Sequence, residues 1–252
     1  PDVDAIILTP LSPHSLTHKP LVVERESVMD IVAGTVNEGT TAIIDGQVSY
    51  PLRLCDHVIV RDSTTGEPVG TARLNCSLSN DRFYTAGEFT IDELVALPDV
   101  KVEVGRTCLR RAFRNNLALG ALGRGIGSYA AAAVAVWLFG CTSVMTTDIQ
   151  LAALLCARFR ASGAHQRSYG ATPRPAYVMP GLEATIATLD TPTIDRAALD
   201  DLLPPLLRVY LKAGAAVSAA PALDHDFACI DFFTLLDLRT HNSGFLGRFA
   251  PC

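Results

Sequence analysis

Short apolar runs separated by turn formers occupy the first fifty residues: Ala5 to Leu8, Leu21 to Val23 and Thr41 to Ile44, punctuated by Pro10, Pro13, Pro20, Gly34, Gly39 and Asp45-Gly46. Runs of this length predict strands, and Asp-Gly predicts a hairpin turn. The piece is β-rich and too small to stand alone as a stable domain. From about Arg53 the pattern changes to strands alternating with helices, the order that builds a layered α/β domain. Asp56 to Arg61 and Val69 to Leu74 read as strands joined by the turn Ser63 to Glu67. A short acidic helix near Ile91 to Ala96, a strand Val100 to Val104, an arginine loop and a helix from Leu117 to Ala133 follow. Trp137 to Cys141 reads as a buried strand, and Asp148 to Phe159 as an amphipathic helix with apolar residues at helical spacing. After a Pro- and Arg-bearing stretch come Leu202 to Lys212, Ala215 to Ser218 and a closing strand, Ile230 to Leu238.

With 252 residues, 49% of them apolar, the chain can bury a substantial core in one domain or two. Its seven cysteines are odd in number, scattered among apolar neighbours and free of any Cys-x-x-Cys pair, which predicts reduced, buried thiols in a cytoplasmic protein. Neither His14 with His18 nor Asp224-His225-Asp226 makes up a zinc set, so no metal is expected. The longest apolar run, Tyr129 to Cys141, is too short to cross a bilayer, and no signal-peptide layout opens the chain. Pro1 in place of Met points to a processed or trimmed start.

Charge changes the picture in one place. The chain is acidic overall, with a formal net charge of -5, yet residues 104 to 147 hold Arg106, Arg110, Arg111, Arg114 and Arg124 and no aspartate or glutamate. Soluble surfaces normally intersperse signs, so a one-sign stretch goes against the usual reading of a charge run as a solvated face. A strand, an arginine loop and a helix start facing the same place favour phosphate or pyrophosphate, through guanidinium groups and the helix dipole together. Nothing points to nucleic acid.

Two resemblances attach to particular residues. Pro1-Asp2-Val3-Asp4-Ala5-Ile6, Leu8-Thr9-Pro10-Leu11-Ser12-Pro13-His14-Ser15-Leu16, Lys19-Pro20-Leu21-Val22-Val23 and Asp45-Gly46-Gln47 look like the late β-region of NAD kinases. The phosphate loop and Asn-Glu pair of that family lie upstream of this region and have no counterpart here, so no residue is assigned a kinase role and no kinase activity is expected. Cys55-Asp56-His57-Val58-Ile59-Val60-Arg61-Asp62, Val69-Gly70-Thr71-Ala72-Arg73-Leu74 and Glu103-Val104-Gly105-Arg106 form the second set. Phe113-Arg114-Asn115-Asn116, Leu138 to Ser143, Leu203 to Leu211 and Asp224-His225-Asp226-Phe227 with Asp231-Phe232 continue it. These blocks resemble the GCN5-related acyltransferases, and more narrowly the ornithine N-acyltransferases of lyso-ornithine lipid synthesis.

The second resemblance implies an α/β fold in which a central mixed sheet is flanked by helices, over residues 53 to 252, preceded by the short β-rich segment 1 to 52. It implies transfer of a 3-hydroxy fatty acyl group from acyl carrier protein, or from coenzyme A, to the α-amine of ornithine or a similar amine. No cofactor beyond the donor's phosphopantetheine thioester is expected. Glu103 is the candidate base for the incoming amine, alongside Arg106, while an ion pair of Glu103 with Arg106 or Arg73 is compatible with that role. Asp56 and Arg73 would organise the amine substrate, or serve only as structural ion pairs. Arg114, Asn115 and Asn116 would hold the donor phosphate, and Arg110 and Arg111 would meet the acidic carrier protein. An amphiphilic product is compatible with contact at the inner membrane face, and an unpaired N-terminal β segment with a homo-oligomer. The alternative is a non-catalytic assembly or binding module, a fusion of kinase-like and acyltransferase-like remnants, because the elements that should wall the amine site would precede Cys55.

Overall fold

The computed structural model describes residues 3–8, 43–44, 47–48, 55–114, 116–189, 199–200 and 202–239. In chain order the elements are β1 (Val3–Leu8), β2 (Ile43–Ile44), β3 (Gln47–Val48), β4 (Asp56–Asp62), β5 (Pro68–Cys76), α1 (Thr85–Glu88), β6 (Phe89–Thr90) and α2 (Asp92–Val95). Then follow β7 (Lys101–Leu109), α3 (Asn116–Ala132), β8 (Trp137–Val144), α4 (Ile149–Ala161), β9 (Thr172–Pro173), α5 (Leu182–Ala187), α6 (Pro205–Lys212), β10 (Ala216–Val217), β11 (Ala222–Asp224) and β12 (Cys229–Asp237). They gather into two compact units: Pro1–Arg82 with Asp99–Leu138 and Asn242–Cys252, and Phe83–Pro98 with Phe139–His241. The whole is a mixed α/β fold.

The first unit is an antiparallel run of strands in the order β1-β4-β5-β7. β4 and β5 form the predicted hairpin, turned by Asp62, whose carboxylate accepts from the N–H of Thr64 at 2.8 Å, and by Gly66 at φ 73. Both faces of β5 are buried along nearly its whole length. α3 presents Ala118, Leu122, Ile126 and Ala130 at a spacing of four, with Ala121 and Tyr129 alongside, all buried. That stripe is the helical face such spacing creates. β1 lies antiparallel to β4, Val3 opposite Asp62 and Leu8 opposite His57. The pairing foreseen around Asp45-Gly46 is present, with Ile43 opposite Val48 and Ile44 opposite Gln47. The predicted strand Leu21 to Val23 lies outside the described residues.

The second unit holds β12, paired antiparallel with β10 and with β11, and a core built from Leu155, Phe159, Leu207, Val217, Ile230 and Phe232 among others. Edge-on aromatic contacts tie its layers: Phe159 to Phe232 and Phe83 to Phe139, each at 5.0 Å between centroids. Asp148 caps α4 by accepting the Gln150 N–H at 2.8 Å, as a short oxygen-bearing N-cap does. Arg160 near the end of α4 forms a two-pronged pair with Glu183 of α5. The structure departs from sequence expectation chiefly at β7, which runs on to Leu109 rather than ending at Val104, and at the final helix, which begins at Pro205 rather than Leu202. Pro at the first turn fits that start, since its missing N–H would have had no helical partner there.

Candidate active site

The register of β4, β5 and β7 decides which candidate residues meet. His57 is opposite Arg73, Arg73 opposite Gly105, and Asn75 opposite Glu103. Side chains two apart on a strand, and those directly opposite, share a face. Arg73, Asn75, Glu103 and His57 therefore lie on one face, and all are buried. Arg73 Nη2 is 3.7 Å from Glu103 Oε2, in a pair whose side chains are 7% and 2% exposed. Gly105 makes room for it, because a Cβ at that position would come within 2.9 Å of Arg73 Nη2. Asn75 Nδ2 donates to the Arg82 carbonyl at 2.8 Å and closes the upper end of the face. His57 has no hydrogen-bond partner at either ring nitrogen. Burial, and then the charge of Arg73, lower its pKa to about 4, so the ring is neutral at physiological pH.

Asp56 does not join this face. One residue before His57, it is turned by the pleat to the opposite side, where its carboxylate accepts the Tyr129 hydroxyl of α3. Burial raises its pKa to about 6, against the lowering effect of that hydrogen bond. Of the two predicted substrate-organising residues, the structure brings Arg73 to Glu103 and ties Asp56 to the helix.

β7 carries an extra residue. Arg73 faces Gly105 and Thr71 faces Cys108, so two residues of β7, Arg106 and Thr107, oppose Ala72. Arg106 takes φ 50, a left-handed conformation that non-glycine residues adopt only where surrounding structure imposes it. Beyond this bulge the strand ends among the remaining arginines. Arg110 pairs with Glu67 at 3.0 Å, with both side chains largely exposed. Arg111 lies exposed in the single turn Arg111–Phe113, and Arg114, also exposed, donates from Nε to the Leu109 carbonyl at 3.2 Å. Asn115 lies outside the described residues, and Asn116 is the first residue of α3. The arginines thus gather where β7 hands over to the helix, roughly 20 Å along the strand from Glu103.

The second unit contains ionisable groups that sequence reasoning left without a role. Glu88, at the end of α1, is 3% exposed, and its Oε2 has no hydrogen-bond partner. Burial, and then the charge of Asp231, raise its pKa to about 7. Burial likewise raises Asp231, and pushes the Cys229 thiol up to about 12. The available signal was a lone acid, Glu88, immediately before the apolar Phe89. Cys141 Sγ lies 3.8 Å from Thr85 Oγ1, and nothing in that contact activates the thiol.

Residues 53–124 match the acetyltransferase (GNAT) domain family. The region holds the Arg73–Glu103 face, the bulge and the arginine end of β7. At finer grain the chain is similar to the L-ornithine N(alpha)-acyltransferase of Agrobacterium fabrum, 28% identical over 197 residues, covering 74% of this chain and 66% of that protein. It is 23% identical over 207 residues to the enzyme of the same name from Brucella abortus, covering 78% of this chain and 72% of the relative. Residues 1–69 match the ATP-NAD kinase C-terminal domain family. The NAD kinase of Koribacter versatilis is 43% identical over 61 residues, 24% of this chain and 21% of that enzyme. The chain therefore spans about two thirds of the Agrobacterium acyltransferase it resembles and about a fifth of that kinase. Among the described residues no helix is long and apolar enough to cross a membrane.

Proposed function

We propose that the chain is an N-acyltransferase that moves a fatty acyl group, 3-hydroxylated in the expected case, from acyl carrier protein to the α-amine of ornithine or a similar small amine in membrane lipid synthesis. The observation that carries this reading is the buried Arg73–Glu103 pair beside the bulge of β7, within the stretch that matches the GNAT family. The named relatives support the acceptor and the class of reaction.

In this reading the amine loses a proton to Glu103, directly or through water, and attacks the thioester carbonyl. The C–N bond forms, the C–S bond breaks, and the thiol of the carrier's pantetheine leaves with a proton. Arg73 holds the Glu103 carboxylate in place, and bulge N–H groups next to Arg106 are suited to the oxyanion. The donor arm lies along β7, with its phosphate at Arg114 and the start of α3 and the acidic carrier protein against Arg110 and Arg111. The experiment is incubation of the protein with 3-hydroxyacyl carrier protein and ornithine, followed by mass spectrometry for acyl-ornithine. Product is expected. A competing reading, an assembly module without turnover, draws on the kinase-type match of residues 1–69 overlapping the GNAT match at 53–69, and absence of product with any acyl donor and amine would favour it.

A further inference from the structure

The β11–β12 hairpin of the second unit directs three metal-ligating groups to one side. Asp224 stands directly opposite Cys229, and Asp231 follows Cys229 by two residues on the same strand. The pleat therefore sends all three side chains the same way. One donor atom from each lies within 4.8 Å of the others, and all three residues are buried. Cys229 Sγ and Asp231 Oδ2 are 3.7 Å apart. Zinc bonds of roughly 2.3 Å to sulfur and 2.1 Å to oxygen, in tetrahedral array, set an S···O edge of about 3.6 Å.

The two carboxylates are already oriented from outside. Asp231 Oδ1 accepts the Ser143 hydroxyl at 2.5 Å, and Asp224 Oδ1 accepts the N–H groups of Asp226 and Phe227 at 2.9 and 3.0 Å. Outer hydrogen bonds of this kind fix ligating carboxylates in known metal sites. Glu88 supplies an independent observation. Its Oε2 is buried and unpartnered, and the charges of Asp231 and Asp224 both act on it, while its carboxylate lies outside the 4.8 Å group that the three hairpin donors form. None of Glu88, Asp224 and Asp231 forms an ion pair among the described residues. A buried carboxylate oxygen without a partner is costly, and three acids without a cation more so.

We propose that Asp224, Cys229 and Asp231 bind a divalent transition-metal ion of the zinc class, and that the ion draws in the Glu88 carboxylate as its fourth ligand. One thiolate with three carboxylates favours zinc or cobalt over magnesium or calcium, whose hard ions avoid sulfur. Four protein ligands leave no open position, so the ion is structural and joins the end of α1 to the hairpin. Binding converts the Cys229 thiol to thiolate and releases one proton to buffer. The proposal is independent of the acyltransferase reading, and its readouts do not involve turnover.

The test strips the purified full chain with chelator, restores it with zinc or cobalt, and measures metal content by mass spectrometry. One zinc per chain is expected, together with a thiolate-to-cobalt charge-transfer band in the near ultraviolet on the cobalt protein. Cys229→Ser should abolish the band, and Glu88→Gln should weaken zinc affinity by at least about tenfold. Magnesium and calcium should neither bind nor compete. Circular dichroism verifies that each variant is folded, and Asp231→Asn, which keeps side-chain volume, stands in where Cys229→Ser is not. Less than a tenth of an equivalent of zinc after reconstitution, or a cobalt band unchanged in Cys229→Ser, overturns the site.

Discussion

Buried carboxylates at two places, one in each unit, are treated in opposite ways. In the first, Glu103 is held against Arg73, with Gly105 clearing space for the guanidinium. In the second, Glu88, Asp224 and Asp231 are buried without any cationic partner among the described residues. The difference teaches that burial alone does not assign a role to an acid. A paired carboxylate is already neutralised by the protein, whereas an unpaired group of them is neutralised only by protons or by something that binds.

The largest expected effect tests the paired side. Arg73→Ala leaves Glu103 buried without that guanidinium, and should destabilise the fold by about 3–5 kcal/mol, read as a drop of roughly 10 °C in thermal midpoint. Replacing both partners with leucine should recover much of that loss, and a double-mutant cycle without coupling would remove the contrast between the units. Next in size, Glu103→Gln should cut acyl-ornithine formation at least about tenfold, measured as kcat over KM, while the protein stays folded. Undiminished turnover would take Glu103 out of the mechanism.

On the unpaired side the sign should reverse. Glu88→Gln, measured in chelator at pH 8, removes a buried charge with no cationic partner among the described residues and should raise stability by about 1 kcal/mol, whereas with zinc present it should lower it. A loss in chelator would show that the hydrogen bonds of Glu88 with Tyr84 and Cys141 outweigh the cost of its buried charge.

Titration sharpens the comparison within the first unit, where neighbours on opposite faces of β4 have opposite signs. His57 has a lowered folded pKa, so its contribution is full above about 6.5 and lost as pH falls toward about 4. Asp56 has a raised one, so its contribution is full below about 3.8 and lost as pH rises through about 6. Denaturant melts should show Asp56→Asn gaining stability, relative to the parent protein, as pH rises from 4 to 7. The smallest effect concerns the arginine end: Arg114→Ala should raise the KM for the acyl donor a few-fold and leave kcat nearly unchanged. An unaltered KM would dismiss the phosphate role.

Much of the first unit was legible because its signals are local. Ser63 to Glu67 announced the β4–β5 turn, and the helix expected from Leu117 to Ala133 is α3, Asn116–Ala132. The end of β7 was not legible: the sequence reads as an arginine loop beyond Val104, and pairing with β5 carries the ladder on to Leu109. Nor was the face taken by Asp56, since adjacent residues point apart and register is a property of two strands. Glu88 is far in sequence from Cys229 and Asp231, and its electrostatic coupling to Asp231 depends on how the second unit folds up around the hairpin.

The bulge has a consequence for parity. Up to Gly105 the odd-numbered residues of β7 share the face of Arg73, and from Cys108 the even-numbered ones do, because Thr71 now stands opposite Cys108. Glu103 and Arg110 are thereby on the same side of the strand despite being seven positions apart. Deleting either Arg106 or Thr107 would close the bulge with Thr71 still opposite Cys108, so the arginine-bearing end would keep its face and lose only the local kink that the extra residue introduces.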